Sequence, residues 1–330
     1  MSTIISDNKE IQSPIFQEEA PIPLLGGNEG GPGINILSFD IEEWYIEKAF
    51  HGARQERYAL FDRYLGEILD LLDDQGIQAT FFVVGRMAID FPDVVRLIDG
   101  RGHEIGCHSN VHTWLNKMSR EQALADTRQA VDALEQCIGR KVLSYRAPAF
   151  SIGEGNKWAF EVLAECGIER DASVYPASRD FGGFPAFGSH QPTIINTSSH
   201  HIKEFPVTMA HVLSLDVAYS GGGYFRFFPL WFVRREISRS DYTMCYFHIG
   251  DLLPESRGMM SREAYENYFK ERGTLLRRLK RHFKSNFGKK AAFDKMARLI
   301  KDYDFVSLDQ ADAAINWNEA SVATLNNNRP

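Results

Sequence analysis

The 330-residue sequence is poor in cysteine and contains no closely spaced pair of cysteines. This usage excludes a disulfide-dense secreted fold and a zinc module built on C-x-x-C motifs. Each cysteine follows or lies within an apolar run, which suits a small buried side chain. We therefore expect free thiols and a reducing compartment for the four residues, Cys107, Cys137, Cys166 and Cys245.

The sequence also lacks the features that mark membrane insertion or nucleic-acid binding. It has no window of about 18 uninterrupted apolar residues, so no membrane-spanning segment is predicted. Its N-terminus shows no basic region followed by an apolar core, so no secretory signal is predicted and we expect a cytoplasmic location. The net charge of −7 argues against a footprint for nucleic acid or anionic membrane. The basic stretch 277–290 is the local exception, and we interpret it as the solvated face of a helix.

Composition divides the chain into one large domain and two tails. Residues 1–33 are polar and rich in proline and glycine, so few apolar side chains offset the cost of ordering them. We expect a flexible or extended arm there. Hydrophobic residues make up 44% of the sequence, enough for a sizeable core in a single domain over residues 34–316. Residues 317–330 are polar and are predicted to be a C-terminal tail.

Short apolar runs alternate with helical patterns along the large domain. Residues 34–39 are typical of a buried parallel strand, and residues 57–75 show helical spacing that ends before Gly76. Ser119 and Gln122 form the pattern of a capping box at the start of a long amphipathic helix, 119–138. The alternation repeats about seven times, which favours an α/β fold with a parallel sheet. In such folds the functional site lies at the carboxyl ends of the strands.

Polar residues follow the predicted strands at five places. His108 and His112 are four residues apart, and on a helical turn they would lie on one face and offer two nitrogens to one metal ion. Asp40 and Glu42 follow the first strand at alternate positions, so they could point to the same side. The other three places are Arg146 with Pro148, Asp171 to Ser173, and His248. Each alone has a commoner structural explanation, such as a turn residue or an ion pair; five together predict a metal-dependent site.

These motifs together resemble the polysaccharide deacetylases of carbohydrate esterase family 4, the nodulation-type deacetylase domain, over roughly residues 34–310. Residues 38–42, SFDIE, look like the first motif, which supplies the catalytic base and a metal ligand. Residues 108–112, HSNVH, match the metal motif H-[ST]-x-x-H. Residues 146–150, RAPAF, are similar to the third motif. Residues 246–248, YFH, are similar to the last motif. The resemblance implies a distorted (β/α) barrel with about seven parallel strands. Residues 221–226 and the Asp-Ile-Glu-Glu-Trp start look like a branch linked to bacterial exopolysaccharide loci.

The resemblance implies a divalent metal ion held by Glu42, His108 and His112. Zinc is the first expectation, with cobalt, nickel, manganese and iron as alternatives. Most members of the family have two adjacent aspartates, whereas here one residue separates the acids and the second acid is a glutamate. Glu43 therefore remains an alternative to Glu42 as the ligand.

The implied reaction is hydrolysis of an amide-linked acetyl group on an N-acetylated sugar or polysaccharide. Asp40 would act as base toward a metal-bound water, and His248 would protonate the leaving amine. Arg146 would keep Asp40 ionised and oriented. Asp171 lies where a fourth motif is expected and could pair with Arg146 or with His248.

Residues beside the motifs are candidates for substrate binding. An aromatic ring could stack on a sugar, and an arginine after a glycine-rich turn could bind an anionic group, although core packing or solvation explains each equally well. The candidates are Trp44, Phe150, Tyr224, Phe225 and Arg226. The oligomeric state stays open. Two other functions also stay open: a metal-dependent deformylase or other C–N hydrolase acting on a small or lipid-linked substrate, and a catalytically silent carbohydrate-binding relative.

Overall fold

The computed structural model describes residues 33–179, 182–198, 200–213, 215–255 and 258–324. The predicted N-terminal arm, apart from residue 33, and the last six residues of the predicted C-terminal tail lie outside these ranges. No helix in the described part of the chain is long and apolar enough to cross a membrane. The four cysteines are free thiols, as expected.

Eleven strands are present in the described ranges. They are β1 (Ile34–Ile41), β2 (Thr80–Val83), β3 (Glu104–Cys107), β4 (Ser144–Tyr145), β5 (Arg170–Asp171), β6 (Thr193–Asn196), β7 (His201–Glu204), β8 (Met209–Val212), β9 (Leu215–Ala218), β10 (Tyr242–His248) and β11 (Ser321–Thr324). Nine of them form one sheet in the order β10-β1-β2-β3-β4-β5-β7-β6-β11. The first seven strands of that order are parallel, which confirms the predicted α/β class and strand number. Strand β6 is antiparallel to β7, and β8 and β9 form a separate hairpin.

Helices connect the strands and cover the sheet. They are α1 (Glu43–His51), α2 (Gln55–Gln75), α3 (Gly85–Asp90), α4 (Pro92–Gly100), α5 (Arg120–Ile138), α6 (Trp158–Glu165), α7 (Gly222–Phe227), α8 (Leu230–Ile237), α9 (Ile249–Leu252), α10 (Arg262–Phe269), α11 (Leu275–Asn286), α12 (Ala292–Asp302) and α13 (Leu308–Ala314). The predicted capping box of Ser119 and Gln122 is confirmed at the start of α5. Gly76 ends α2 in the left-handed conformation, as its position predicted. Helices α10 and α11 are separate because Lys270 ends α10 in a left-handed conformation.

The parallel strands are closed into a distorted barrel by side-chain hydrogen bonds rather than by a regular ladder. The Tyr242 hydroxyl donates to the Pro206 carbonyl over 2.8 Å, and Thr208 Oγ1 accepts from the Met244 N–H over 2.8 Å. Ser220 Oγ donates to the Met244 carbonyl over 2.7 Å. The chain that follows β7 is thereby tied to β10, the first strand of the parallel set. Irregular closure of this kind leaves one side of the barrel distorted, as expected for the predicted fold.

Several short elements were not predicted. Helix α1 follows β1 directly, the hairpin of β8 and β9 lies between β7 and α7, and α13 follows an isolated bridge between Ile36 and Val306. Strand β11 pairs in parallel with β6, although the polar composition after residue 317 suggested a tail. Such four-residue strands carry too few apolar positions to show periodicity, and only Ala323 of β11 is buried.

The contact between α3 and α5 depends on a glycine, and we expect Gly85→Ala to lower the free energy of unfolding. A Cβ at Gly85 would lie 2.5 Å from Ala130 Cα and 2.7 Å from Ala130 Cβ. Relieving that overlap requires the two helices to separate, at a cost of about 1–3 kcal/mol. Urea unfolding of the variant measures this cost.

Gly66→Ala is the matched control, because Gly66 lies within α2 and a Cβ there meets nothing within 4 Å. That variant should be neutral or more stable by up to about 1 kcal/mol, since alanine favours helix. Equal stability of the two variants would contradict the close approach of α3 and α5.

Candidate active site

His108 and His112 lie on a loop after β3, not on the helical turn that their spacing suggested. The loop turns tightly because Ser109 and His112 adopt left-handed backbone conformations, with φ of 59° and 56°. The Asp126 carboxylate fixes the loop by accepting from the Asn110 N–H over 2.8 Å. The two imidazole rings still approach each other, with centroids 5.2 Å apart. The helical interpretation was therefore wrong, but the loop still brings the two imidazoles together.

Glu42 brings a carboxylate to both imidazoles. Its Oε2 lies 2.5 Å from His112 Nε2 and 3.6 Å from His108 Nε2. Ligand atoms of the three residues all lie within 4.8 Å of one another. Glu43, the alternative ligand, is buried elsewhere and accepts from the Gly250 N–H. The structure thus assembles the Glu42, His108 and His112 set and leaves Glu43 out of it.

The chemistry of this cluster fits a cation. His108 Nδ1 lies 2.7 Å from the Arg146 carbonyl oxygen, which can only accept, so Nδ1 carries a proton. With Nδ1 protonated, a neutral His108 offers the lone pair of Nε2 as a ligand, and this atom lies beside the Glu42 carboxylate, so one cation could bind both. Two imidazoles and one carboxylate also match the ligand set of catalytic zinc sites, which keep a position open. The three side chains therefore fit a divalent metal ion.

Asp40 lies beside this cluster and is held by Arg146. Its Oδ1 is 2.8 Å from Arg146 Nη1, and that nitrogen also donates to Ser38 Oγ over 3.0 Å. Burial alone would raise the pKa of Asp40, but the positive charges of Arg146 and the neighbouring histidines outweigh burial and lower it. Asp40 is consequently a buried but ionised carboxylate, able to accept a proton.

His248 is the last residue of β10 and stands opposite Asp40 in the sheet register. Its Nε2 lies 3.6 Å from Asp40 Oδ2, and its Nδ1 lies 3.1 Å from Asp251 Oδ2. Burial would lower the pKa of His248, but Glu42, Asp251 and Asp40 outweigh it and raise this pKa to about 10. The ring therefore holds a proton that it can donate. Arg226 Nη2 lies 3.2 Å from Asp251 Oδ1 and completes the support.

The sequence did not reveal the role of Asp251. The available signal was a carboxylate three residues after a strand-ending histidine, at the start of the short helix α9. Asp171, by contrast, hydrogen-bonds to residues that were not predicted for it, although the Arg146 charge also acts on it. It accepts from Ser173 Oγ over 2.5 Å and shares a hydrogen bond with Glu204. Burial raises the pKa of Asp171 to about 6 and that of Glu204 well above its usual range, so the two carboxyl groups hold a proton between them.

Four of the five predicted substrate residues are part of the interior. They are Trp44, Phe150, Phe225 and Arg226. The Trp44 indole is 1% exposed and donates to Asp62 over 2.9 Å. The Arg226 guanidinium donates to the carbonyls of Lys284 and Ser285. These side chains are structural because residues flanking a buried strand end pack into the core; Tyr224 is 36% exposed and stays a candidate.

The structure contains a cavity of about 440 Å³. The first of its lining residues in the sequence is Trp114, two positions after His112. It is lined by aromatic rings, amides and a hydroxyl, among them Trp114, Asn116, Ser151, Asn156 and Trp158. Aromatic rings combined with hydrogen-bonding groups are suited to a sugar. The signal for Trp114 in the sequence was its place two residues after the second histidine, whereas Trp158 lies eight residues after the third motif.

The fold and the site define a class: an α/β barrel protein whose strands carry a candidate two-histidine, one-carboxylate metal centre flanked by an acid–base pair. Residues 57–170 match the family model described as polysaccharide deacetylase. Residues 172–313 match a model described as a domain of unknown function, DUF3473. Residues 57–170, about a third of the chain, are thus similar to the polysaccharide deacetylase family.

Curated relatives resemble part of the chain. A chitin deacetylase from Pestalotiopsis sp is 34% identical over 91 residues, covering 27% of this chain and 30% of the relative. A chitooligosaccharide deacetylase from Sinorhizobium fredii is 34% identical over 83 residues, 25% of this chain and 39% of the relative. A peptidoglycan-N-acetylglucosamine deacetylase from Bacillus cereus is 26% identical over 120 residues, 35% of this chain and 44% of the relative. The chain spans less than half the length of these three relatives.

Solved structures show the same fold at low identity. A crystal structure from Mycobacterium smegmatis, assigned to the polysaccharide deacetylases, superposes with a TM-score of 0.62 at 18% identity over 95% of this chain and 99% of that one. A 4-alpha-glucanotransferase from Thermococcus litoralis gives a TM-score of 0.52 at 14% identity, over 89% of this chain and 42% of that one.

We expect one divalent ion to bind per chain, and His112→Asn and Glu42→Gln each to weaken binding by at least about tenfold, because each removes one of three ligands. Calorimetric titration of zinc into the chelated protein measures the affinity. Glu43→Gln should bind zinc like the parent, since Glu43 faces Gly250 instead. His211→Asn, at an exposed histidine of the hairpin, is the control. Equal loss in Glu43→Gln and Glu42→Gln would contradict the assignment.

Proposed function

We propose that the protein hydrolyses the amide-linked acetyl group of an N-acetylated sugar or polysaccharide in a metal-dependent reaction. The observation that carries the proposal is the placement of Asp40 and His248, 3.6 Å apart, beside three side chains that could hold a metal ion. A protein that only binds carbohydrate has no need of a buried acid–base pair. The match of residues 57–170 to the polysaccharide deacetylase model and the activities named for the relatives support the same reaction.

Glu42, His108 and His112 would hold the ion, with zinc as our first choice for this ligand set. When bound, a divalent ion supplies Lewis acidity, which polarises the amide carbonyl and acidifies water. Asp40 accepts the proton of the attacking water, and Arg146 keeps Asp40 ionised and oriented for that step. His248 gives its proton to the leaving nitrogen, because an amide anion is too basic to leave unprotonated.

We assign substrate binding to the cavity lined by Trp114 and Trp158 rather than to the buried aromatic residues. Trp114 and Trp158 provide faces for a sugar ring, and the amides of Asn116 and Asn156 provide hydrogen bonds. The sequence of residues 221–226 resembles a branch of the family linked to bacterial exopolysaccharide loci. An exopolysaccharide is therefore the first polymer to test, beside oligomers of N-acetylglucosamine.

Asp40→Asn should abolish release of amine from N-acetylglucosamine oligomers while zinc affinity is kept, because the amide cannot accept the proton and Asp40 is not a ligand. The expected loss is about 10²–10⁴-fold in kcat. Asp216→Asn, an exposed carboxylate of the hairpin, is the control.

Unchanged turnover in Asp40→Asn would remove Asp40 from the role of base. Cleavage of small formamides without cleavage of the oligomers would favour the deformylase alternative. Zinc binding without turnover on any amide would favour the silent carbohydrate-binding alternative.

Asp251→Asn should lower kcat by about 10–100-fold with KM little changed, because Asp251 positions His248 and does not contact the substrate in our proposal. Asp251→Glu should restore part of the rate, since it keeps the charge. A rise in KM alone, or no recovery with glutamate, would contradict the positioning role. Steady-state kinetics on N-acetylglucosamine oligomers give both parameters.

A further inference from the structure

Helix α11 exposes apolar side chains that a soluble protein normally covers. None of its residues is buried. Leu275, Leu276, Leu279 and Phe283 are between 47% and 77% exposed. On a helix of 3.6 residues per turn these four positions fall within an arc of about 100°. The basic stretch noted in the sequence therefore has an exposed apolar face as well as a solvated charged one.

Basic residues occupy the neighbouring arc of the same helix. They are Arg277, Arg278, Lys280, Arg281 and Lys284, and α11 contains no acidic residue. His282, Ser285 and Asn286 are half-buried, as is Arg278 at the edge of the basic arc, and they mark a third face that is turned toward the protein. The helix thus presents an apolar arc flanked by positive charge, which is the pattern of helices that lie in the plane of a membrane surface.

The apolar arc continues onto the adjoining part of the barrel. The Phe283 and Phe287 rings lie 5.5 Å apart, and the Phe287 and Phe227 rings lie 5.0 Å apart. Phe228 and Phe232 extend this row of rings to Trp231. Phe287, Phe227 and Trp231 are between 40% and 64% exposed. We call this surface, formed by the four apolar and five basic residues of α11 with Phe227, Phe287 and Trp231, the apolar-basic face.

This face is fixed to the site side of the barrel. Along the sequence, helices α10 and α11 come after His248, which is at the carboxyl end of β10, and before α12. Arg226 donates to two carbonyls near the end of α11 and also contacts Asp251, the partner of His248. Glu271, between α10 and α11, lines the candidate sugar cavity. The face and the cavity therefore belong to the same end of the molecule.

Charge decides which occupant fits. The whole chain carries a net charge of −7, yet the apolar-basic face is strongly positive, so it is complementary to an anionic surface. A second copy meeting it through the same face would bring two basic helices together, which is unfavourable. An anionic bilayer offers negative headgroups to the basic arc and an apolar layer to the leucine and aromatic side chains.

We propose that the apolar-basic face docks the protein onto an anionic lipid bilayer, with α11 parallel to the membrane plane. Docking brings the candidate cavity to the membrane surface. If the proposed deacetylation is correct, this places the protein where sugar chains carried on lipid are accessible. The docking itself does not depend on that activity.

Sedimentation with vesicles tests the proposal directly. The full chain should bind phosphatidylcholine vesicles containing about a quarter phosphatidylglycerol, bind pure phosphatidylcholine vesicles weakly, and dissociate at high salt. Leu276→Ser combined with Leu279→Ser should weaken binding to anionic vesicles by at least about tenfold. Lys280→Gln combined with Lys284→Gln should also weaken it. Leu97→Ser combined with Leu215→Ser removes two leucines that are 44% and 66% exposed elsewhere, and it should bind like the parent.

Two results would overturn the proposal. One is a failure of the vesicle test: either the parent does not bind anionic vesicles, or the Leu276→Ser and Leu279→Ser variant binds them as well as the parent does. The other is self-association in the absence of lipid, seen by analytical ultracentrifugation and removed by the same leucine pair, which would assign the face to a second copy. Amine release from soluble N-acetylglucosamine oligomers should be the same in these variants as in the parent. If the parent itself releases no amine, that result counts against the proposed function and not against docking.

Discussion

The buried ion pair between Arg146 and Asp40 organises the site. The Arg146 side chain has no exposed surface, and a buried charge is tolerated only when it is paired and hydrogen-bonded. Its guanidinium binds Asp40 and Ser38 at the end of β1 and the Ala172 carbonyl after β5, while its own carbonyl accepts from His108. Arg146, which directly follows β4, thus positions both the proposed proton acceptor Asp40 and the His108 imidazole.

The site is assembled from three stretches of sequence. Asp40 and Glu42 precede the segment that matches the polysaccharide deacetylase model, His108 and His112 lie within it, and His248 lies in the segment matched by the model of unknown function. The second segment therefore contributes to the candidate site and is more than an appendage. It also contains Arg226, which connects the support of His248 to α11.

Periodicity and motif spacing predicted the parallel α/β order and the residues that meet at the strand ends. They could not predict how those residues meet. His108 and His112 approach each other because Ser109 and His112 adopt left-handed backbone conformations, and neither serine nor histidine is a residue type from which that conformation is predicted. Adjacency to a motif was a poor guide to substrate contact, because Trp44 and Phe225 fill the core beside their strands. The basic stretch 277–290 was evident in the sequence, but its interpretation as a solvated helix face did not anticipate the exposed apolar side chains of α11.

The hydrogen-bonded carboxyl pair of Asp171 and Glu204 links folding to proton uptake. In the unfolded chain both groups are ionised at neutral pH, with pKa values of about 4. Burial raises the pKa of Asp171 to about 6 and that of Glu204 further, so the folded protein captures a proton from solvent. The contribution of this pair to stability is fully present below about pH 4 and is lost as the pH rises through the folded-state values. A rise in pH therefore destabilises the protein through a carboxyl pair in its interior.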